Sequence, residues 1–150
     1  MDRNWLIVNA EATEWMGCTN PMEKEKVGSK RVWMVDITDE TNPIPVSTYF
    51  PPTRGLPPAR YDAPAYRIGP HQPFDEDLNI TDNLLYLACF GAGIRVLDIS
   101  NPYELNEVGH YIPNQPTQVD DCYVDDRGLI YATDRLTGKL YIMEYSGPRF

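Results

Sequence analysis

Leu84-Leu85-Tyr86-Leu87-Ala88-Cys89-Phe90-Gly91-Ala92-Gly93-Ile94-Arg95-Val96-Leu97-Asp98-Ile99 is the stretch that decides the fold. Two runs rich in β-branched, aliphatic and aromatic residues flank a short turn holding two glycines. Glycine enters positive φ without steric cost, so the stretch reads as a β-hairpin. Asn101-Pro102 stops the second strand and turns the chain, and Leu105 to Ile112 follows as a third. Fourteen prolines and ten glycines punctuate the sequence too often for any long run of helical periodicity. Strands therefore dominate the expectation along the whole chain. Further candidates are Thr117 to Val124, Leu129 to Thr133 and Leu140 to Tyr145, separated by turns at Asp125 to Gly128 and Leu136 to Gly138.

The hairpin plan recurs. Arg31 to Thr38 copies Ile94 to Ser100, and each copy is followed by an Asn-Pro step, Asn42-Pro43 or Asn101-Pro102. Leu140 to Tyr145 is a third copy, with Glu144 where the others have Asp36 and Asp98. A period of roughly 40 to 50 residues carrying about four short strands is the mark of propeller blades, each unable to bury both faces alone. The expected fold class is therefore all-β: about three antiparallel β-propeller blades, the first and last incomplete. Blade 1 covers about 5–50, a proline-rich insertion 51–65, blade 2 about 66–113 and blade 3 about 117–146, all within one partial domain. Blade 1 lacks an inner strand and blade 3 an outer one, so missing blades or a homo-oligomer partner are expected to complete a ring. The competing architecture is an independent three-sheet β domain.

The 150 residues carry 22 acidic and 13 basic side chains, a net charge of −9 with neutral histidines. Such an excess of carboxylates repels phosphate backbones and anionic headgroups, which counts against nucleic-acid and membrane-surface binding. At 42% apolar and 23% charged, the composition is that of a folded globular chain. The longest apolar run, Leu84 to Phe90, is far short of the ~20 residues a membrane helix needs. The first residues lack the features of a signal peptide. Three cysteines (Cys18, Cys89 and Cys122) without CxxC spacing argue against a disulfide scaffold and a structural zinc site. A reducing, cytoplasmic setting suits that usage.

Val35-Asp36-Ile37-Thr38 and Leu97-Asp98-Ile99-Ser100-Asn101-Pro102 resemble the repeat of the LVIVD-repeat β-propeller proteins, a hairpin whose second strand ends near an Asp before an Asn-Pro turn. Leu6 to Ala12, Gly69-Pro70-His71, Tyr86 to Ile99 and Gln118 to Tyr131 are similar, in order, to the C-terminal half of a bacterial branch of that family. The resemblance implies a propeller fold and places the chain as the C-terminal part of a longer member. It matches Glu11 to an acidic position after a strand, Cys18 to a loop cysteine, and His71 to the histidine after Gly-Pro. Phe74 stands where that branch often has a second histidine, and Asp120 where it has Asn. Gln118 and Asp121 agree with a polar cluster at the start of an inner strand.

Residues at the entrance of inner strands face a propeller's central channel. His71 lies there with Asp75, Glu76 and Asp77 soon after, and Gln118, Asp120 and Asp121 hold the equivalent place one blade later. Imidazole with carboxylates suits Zn, Mn or Fe, or proton transfer. The metal candidates are His71, Glu11 and Asp121. The ligand-binding candidates are Gln118, Asp120, Asp121 and Arg95. The plainer alternative has His71 bonded to a neighbouring loop and the acids solvated in turns. Gly91-Ala92-Gly93 lacks the third glycine and the following helix of a dinucleotide site, so it reads as a hairpin turn. Asp36 and Asp98 are explained as strand-end caps, Cys89 and Cys122 as core, and His110 as an outer-strand residue. Trp15, Met16, Met22, Tyr61 and Tyr66 supply apolar loop surface of the kind that walls small-molecule pockets.

Three functions follow from these residues. The first is a propeller-type module binding a small-molecule ligand, with a divalent metal in its channel. The second is a metal-dependent hydrolase or oxidoreductase acting on a small organic molecule. The third is a structural platform for protein interaction.

Overall fold

The structure is a computed structural model that describes residues 4–11, 31–52, 67–74, 82–114 and 116–148. Among these residues there is no helix, and ten strands carry the fold. They are β1 (Trp5–Asn9), β2 (Val32–Asp36), β3 (Ile44–Tyr49), β4 (Ile68–Pro73), β5 (Leu84–Phe90), β6 (Ile94–Asp98), β7 (Asn106–Tyr111), β8 (Val119–Val124), β9 (Leu129–Asp134) and β10 (Lys139–Glu144). Cys18, Asp75, Glu76, Asp77 and the aromatic and methionine residues of the two long loops lie outside the described residues.

Every pairing is antiparallel. β1-β2-β3 form one sheet, β4 to β7 pair in chain order, and β8-β9-β10 form a third group. The last two groups are joined through the single pair Phe90 and Val119, at the end of β5 and the start of β8. This is a partial propeller: a four-stranded middle sheet between two three-stranded ones.

The middle sheet explains why Leu84 to Phe90 is unbroken in its apolarity. Leu85, Leu87 and Cys89 share a buried cluster with Val32, Met34 and Tyr49 of the first sheet. Leu84, Tyr86 and Ala88 point the other way, into a cluster with Cys122, Ile130 and Ala132 of the third. Successive side chains of a strand alternate in direction, so only a strand covered on both faces needs both sets apolar. Each fully buried aliphatic side chain contributes roughly 1.5–3 kcal/mol, and both clusters require neighbouring sheets to be present.

The turns repeat as their sequences do. Asp36 Oδ1 accepts the Thr38 amide at 2.8 Å, and Asp98 Oδ1 accepts the Ser100 amide at 2.8 Å. A one-residue irregularity also recurs at one repeat position, between Met34 and Val35 and again between Val96 and Leu97. In the 91–93 turn, positive φ is taken by Gly93 (74°) and also by Phe90 (46°), where a bulky side chain is rarely found.

The turn between β8 and β9 is organised by one carboxylate. Asp125 Oδ1 accepts the amides of Arg127 and Leu129 at 3.0 Å each, while Oδ2 accepts Arg127 Nη2 at 2.6 Å and the Tyr131 hydroxyl at 3.1 Å. Desolvation pushes this carboxyl up, but these donors outweigh it and hold it at about 2. A depressed folded-state pKa means that the turn's contribution is present above the unfolded Asp value and fades as pH falls from about 4 through the folded value. In a carbon-detected NMR titration, Asp125 should show a midpoint near the bottom of the accessible range. Arg127→Ala should move it upward. A native midpoint near the ordinary Asp value would contradict this account.

Candidate functional site

Gly69-Pro70-His71 leaves the regular ladder. The register between β4 and β5 shifts between Ile68 and Gln72, and Gly69 at φ 132° adopts backbone that glycine alone accepts readily. The matching shift in β8 lies between Val119 and Asp121, leaving Asp120 as the extra residue. Two bulged strand starts thus face each other. His71 Nδ1 bonds the Asp120 main-chain oxygen, and the Asn9 side-chain amide donates to the His71 main-chain oxygen. A carbonyl can only accept, so Nδ1 is the donor in this bond.

Charges alternate around that ring. Glu11 Oε1 lies 3.8 Å from His71 Nε2 and 2.8 Å from Arg67 Nη1. On the other side, Asp120 Oδ1 lies 3.7 Å from His71 Nδ1 and 2.8 Å from Arg135 Nη1. Phe90 is the floor: its ring centroid is 4.5 Å from that of His71, and the Arg67 and Arg135 guanidinium carbons stand 5.4 and 5.0 Å from it. The unusual backbone of Phe90 coincides with this convergence. Costs of 1–3 kcal/mol for such backbone persist where surrounding contacts over-determine it.

Gln118 adjoins the site through Arg67. It is fully buried; its main-chain amide is held by Asp134 Oδ1 at 2.9 Å and its Nε2 reaches the Arg67 carbonyl at 3.4 Å. That bond sets the amide's orientation and leaves Oε1 buried with no hydrogen-bond partner among the described residues. Asn9 Oδ1 is in the same condition. Buried polar atoms normally have partners, so each exception calls for one.

Of the residues singled out from the sequence, the structure brings Glu11, His71, Gln118 and Asp120 together. Asp121 is not among them. It is exposed, with Oδ1 on the Cys122 amide at 2.8 Å, because the extra residue in β8 turns Asp120 rather than Asp121 toward His71. Arg95 serves a different cluster: buried in β6, it donates Nε to the Ala92 carbonyl and Nη1 to Glu107 Oε1, both at 2.9 Å. The Tyr49 hydroxyl and His110 Nδ1 meet the same Glu107 carboxylate. Burial raises the Cys89 thiol and, with the Glu107 bond, the Tyr49 hydroxyl, so both stay protonated. Arg67 and Arg135 were not picked out from sequence. Arg67 stands immediately before the Ile68-Gly69-Pro70-His71 run, and Arg135 directly follows Asp134, the only local signals they carry.

Among the described residues no three His, Cys, Asp or Glu side chains gather as a metal set. Glu11 and Asp120 each hold a guanidinium, so one imidazole nitrogen remains where a catalytic zinc takes three protein ligands. No chemical step through a metal follows from this geometry.

The family model of the LVIVD repeat matches residues 76–112, which contain β5, β6 and β7. The chain carries an LVIVD repeat. Repeats of this kind are associated with β-propeller-like folds, in agreement with the stacked sheets. No curated protein and no solved structure matches the chain. Among its described residues, no helix is long and apolar enough to cross a membrane.

Proposed function

We propose that this protein is a propeller-type module that binds a small polar ligand at the facing starts of β4 and β8. The observation that carries this is the buried Gln118 Oε1, left without a donor beside a ring of otherwise paired charges. Asn9 Oδ1 adds a second such acceptor, and His71 Nε2 stands 3.8 Å from Glu11 in the same region. Glu11 and Asp120 are balanced by Arg67 and Arg135, so the region is close to neutral but rich in acceptors. A ligand presenting N–H or O–H donors, such as a polyol or a primary amine, matches that lining.

Thermal-shift and calorimetric titration with a panel of polyols, primary amines, Zn²⁺ and Mn²⁺ tests the proposal. One donor-bearing organic class should stabilise the protein, and the effect should weaken about tenfold or more in Gln118→Ala and in His71→Ala. Removing one partner of a buried hydrogen bond costs roughly 1–3 kcal/mol, which sets that scale. Asp121→Ala should bind as the parent does. Equal binding by the Gln118 and His71 variants, or a response to the metal ions alone, would sink the proposal.

A further inference from the structure

The three sheets can be aligned residue by residue, because Asp36, Asp98 and Glu144 pair with Trp5, Leu84 and Leu129 in the same register. Four and two residues before those acids stand Val32 and Met34, Ile94 and Val96, and Leu140 and Ile142. In the first two sheets these positions are covered by the next sheet along the chain: Val32 and Met34 are 0% exposed, Ile94 1% and Val96 3%. In the third sheet Leu140 is 56% exposed and Ile142 60%.

The opposite face shows the converse. One and three residues after the paired first-strand positions stand Leu6 and Val8, Leu85 and Leu87, and Ile130 and Ala132. The last four lie against the preceding sheet at 2%, 0%, 2% and 0% exposure, whereas Leu6 is 47% exposed and Val8 41%. Aliphatic side chains at strand positions that are core in every other copy form an unpartnered interface rather than ordinary surface.

We propose that these two faces are halves of one contact, and that the Leu140 and Ile142 face of one copy of the chain seats the Leu6 and Val8 face of a second. The occupant is identified by continuity with the packing inside the chain. Twice, a face of the Ile94 and Val96 type receives a face of the Leu85 and Leu87 type, and the chain's own first sheet presents the second type uncovered. The contact is heterologous, joining different surfaces of the two copies, so it closes into a ring or continues as an open array. Each copy carries a net charge of −9, so the association should strengthen as salt screens the repulsion.

Sedimentation velocity on the purified chain over a range of concentrations and salt tests this. The parent chain should assemble beyond the monomer, more so at high salt. Leu140→Lys/Ile142→Lys and Leu6→Lys/Val8→Lys should each be monomeric alone. Mixed, they should form a dimer that grows no further, because each retains one intact face. The milder pair Leu140→Thr/Ile142→Thr and Leu6→Thr/Val8→Thr keeps strand-favouring residues in place should the lysine variants fail to fold. A parent chain monomeric at every concentration, assembly unaffected by either pair, or a variant that self-associates without its complement would each overturn the proposal.

Discussion

Gly93→Ala is expected to destabilise the protein by about 3 kcal/mol or more, lowering the urea midpoint without changing the slope. Gly93 has φ 74°, a conformation costly for any residue with a Cβ. A Cβ there would land on the Tyr111 carbonyl oxygen and 3.1 Å from Ile112 Cα, both backbone atoms that cannot swing aside. The hairpin that follows Phe90 is held by Gly93 itself, through its carbonyl to the Cys89 amide at 2.8 Å and its amide to the Phe90 carbonyl at 3.0 Å. Displacing it also disturbs the floor of the candidate site. Gly138→Ala is the control. Gly138 has φ 68° but no atom within 4 Å of a built Cβ, so it should show only the conformational cost, about 1–2 kcal/mol. Equal losses at the two positions would show that the close approach to β7 is not what Gly93 protects.

Asp134→Ala is expected to cost on the order of 4 kcal/mol, because it strips several buried donors of a charged acceptor at once. Asp134 is 1% exposed. It accepts from the Thr117 hydroxyl at 2.6 Å, the Thr137 hydroxyl at 2.7 Å, the Gln118 amide at 2.9 Å and the Leu136 amide at 3.0 Å. Burial pushes this carboxyl up, but the donors outweigh it and hold it below the usual Asp value. Its contribution is therefore present above the unfolded pKa, near 4, and is lost as pH falls through the lower folded value. Denaturation curves of parent and Asp134→Ala should differ most at neutral pH and converge on acidification below pH 4. A difference independent of pH over that range would contradict the assigned role. Because Asp134 anchors the Gln118 main chain, ligand response should fall with it, whereas Thr137→Val should lose stability alone.

Strand content, the hairpin at 84–99 and the recurrence of its plan were legible in the sequence because they rest on local chemistry. Alternation, glycine at the turn and an aspartate accepting the amide two residues on all act within a few positions. The candidate site was legible only as a neighbourhood. His71, Gln118 and Asp120 were visible as polar residues at strand starts, and Glu11 through the family resemblance as an acid after a strand. The choice between Asp120 and Asp121 was not, since one extra residue in a strand reverses which side chain faces inward and leaves no mark in composition. Arg67 and Arg135 escaped for a related reason: each finds its carboxylate on another segment of the chain, 56 residues away for Arg67 and Glu11. Asp134 carries no local mark of its buried role, which arises only where β8 and β9 lie side by side.

By itself the sequence determined an all-β chain of repeated hairpin units, because strand propensity, turn chemistry and a two-residue period are local properties read one segment at a time. Only the tertiary structure decided that Leu84 to Phe90 is covered on both faces, that Phe90 supports two guanidiniums and an imidazole, and that Leu140 and Ile142 stand uncovered. These depend on which sheets meet and in which register, and such pairings are set by the summed burial of distant residues rather than by any single stretch.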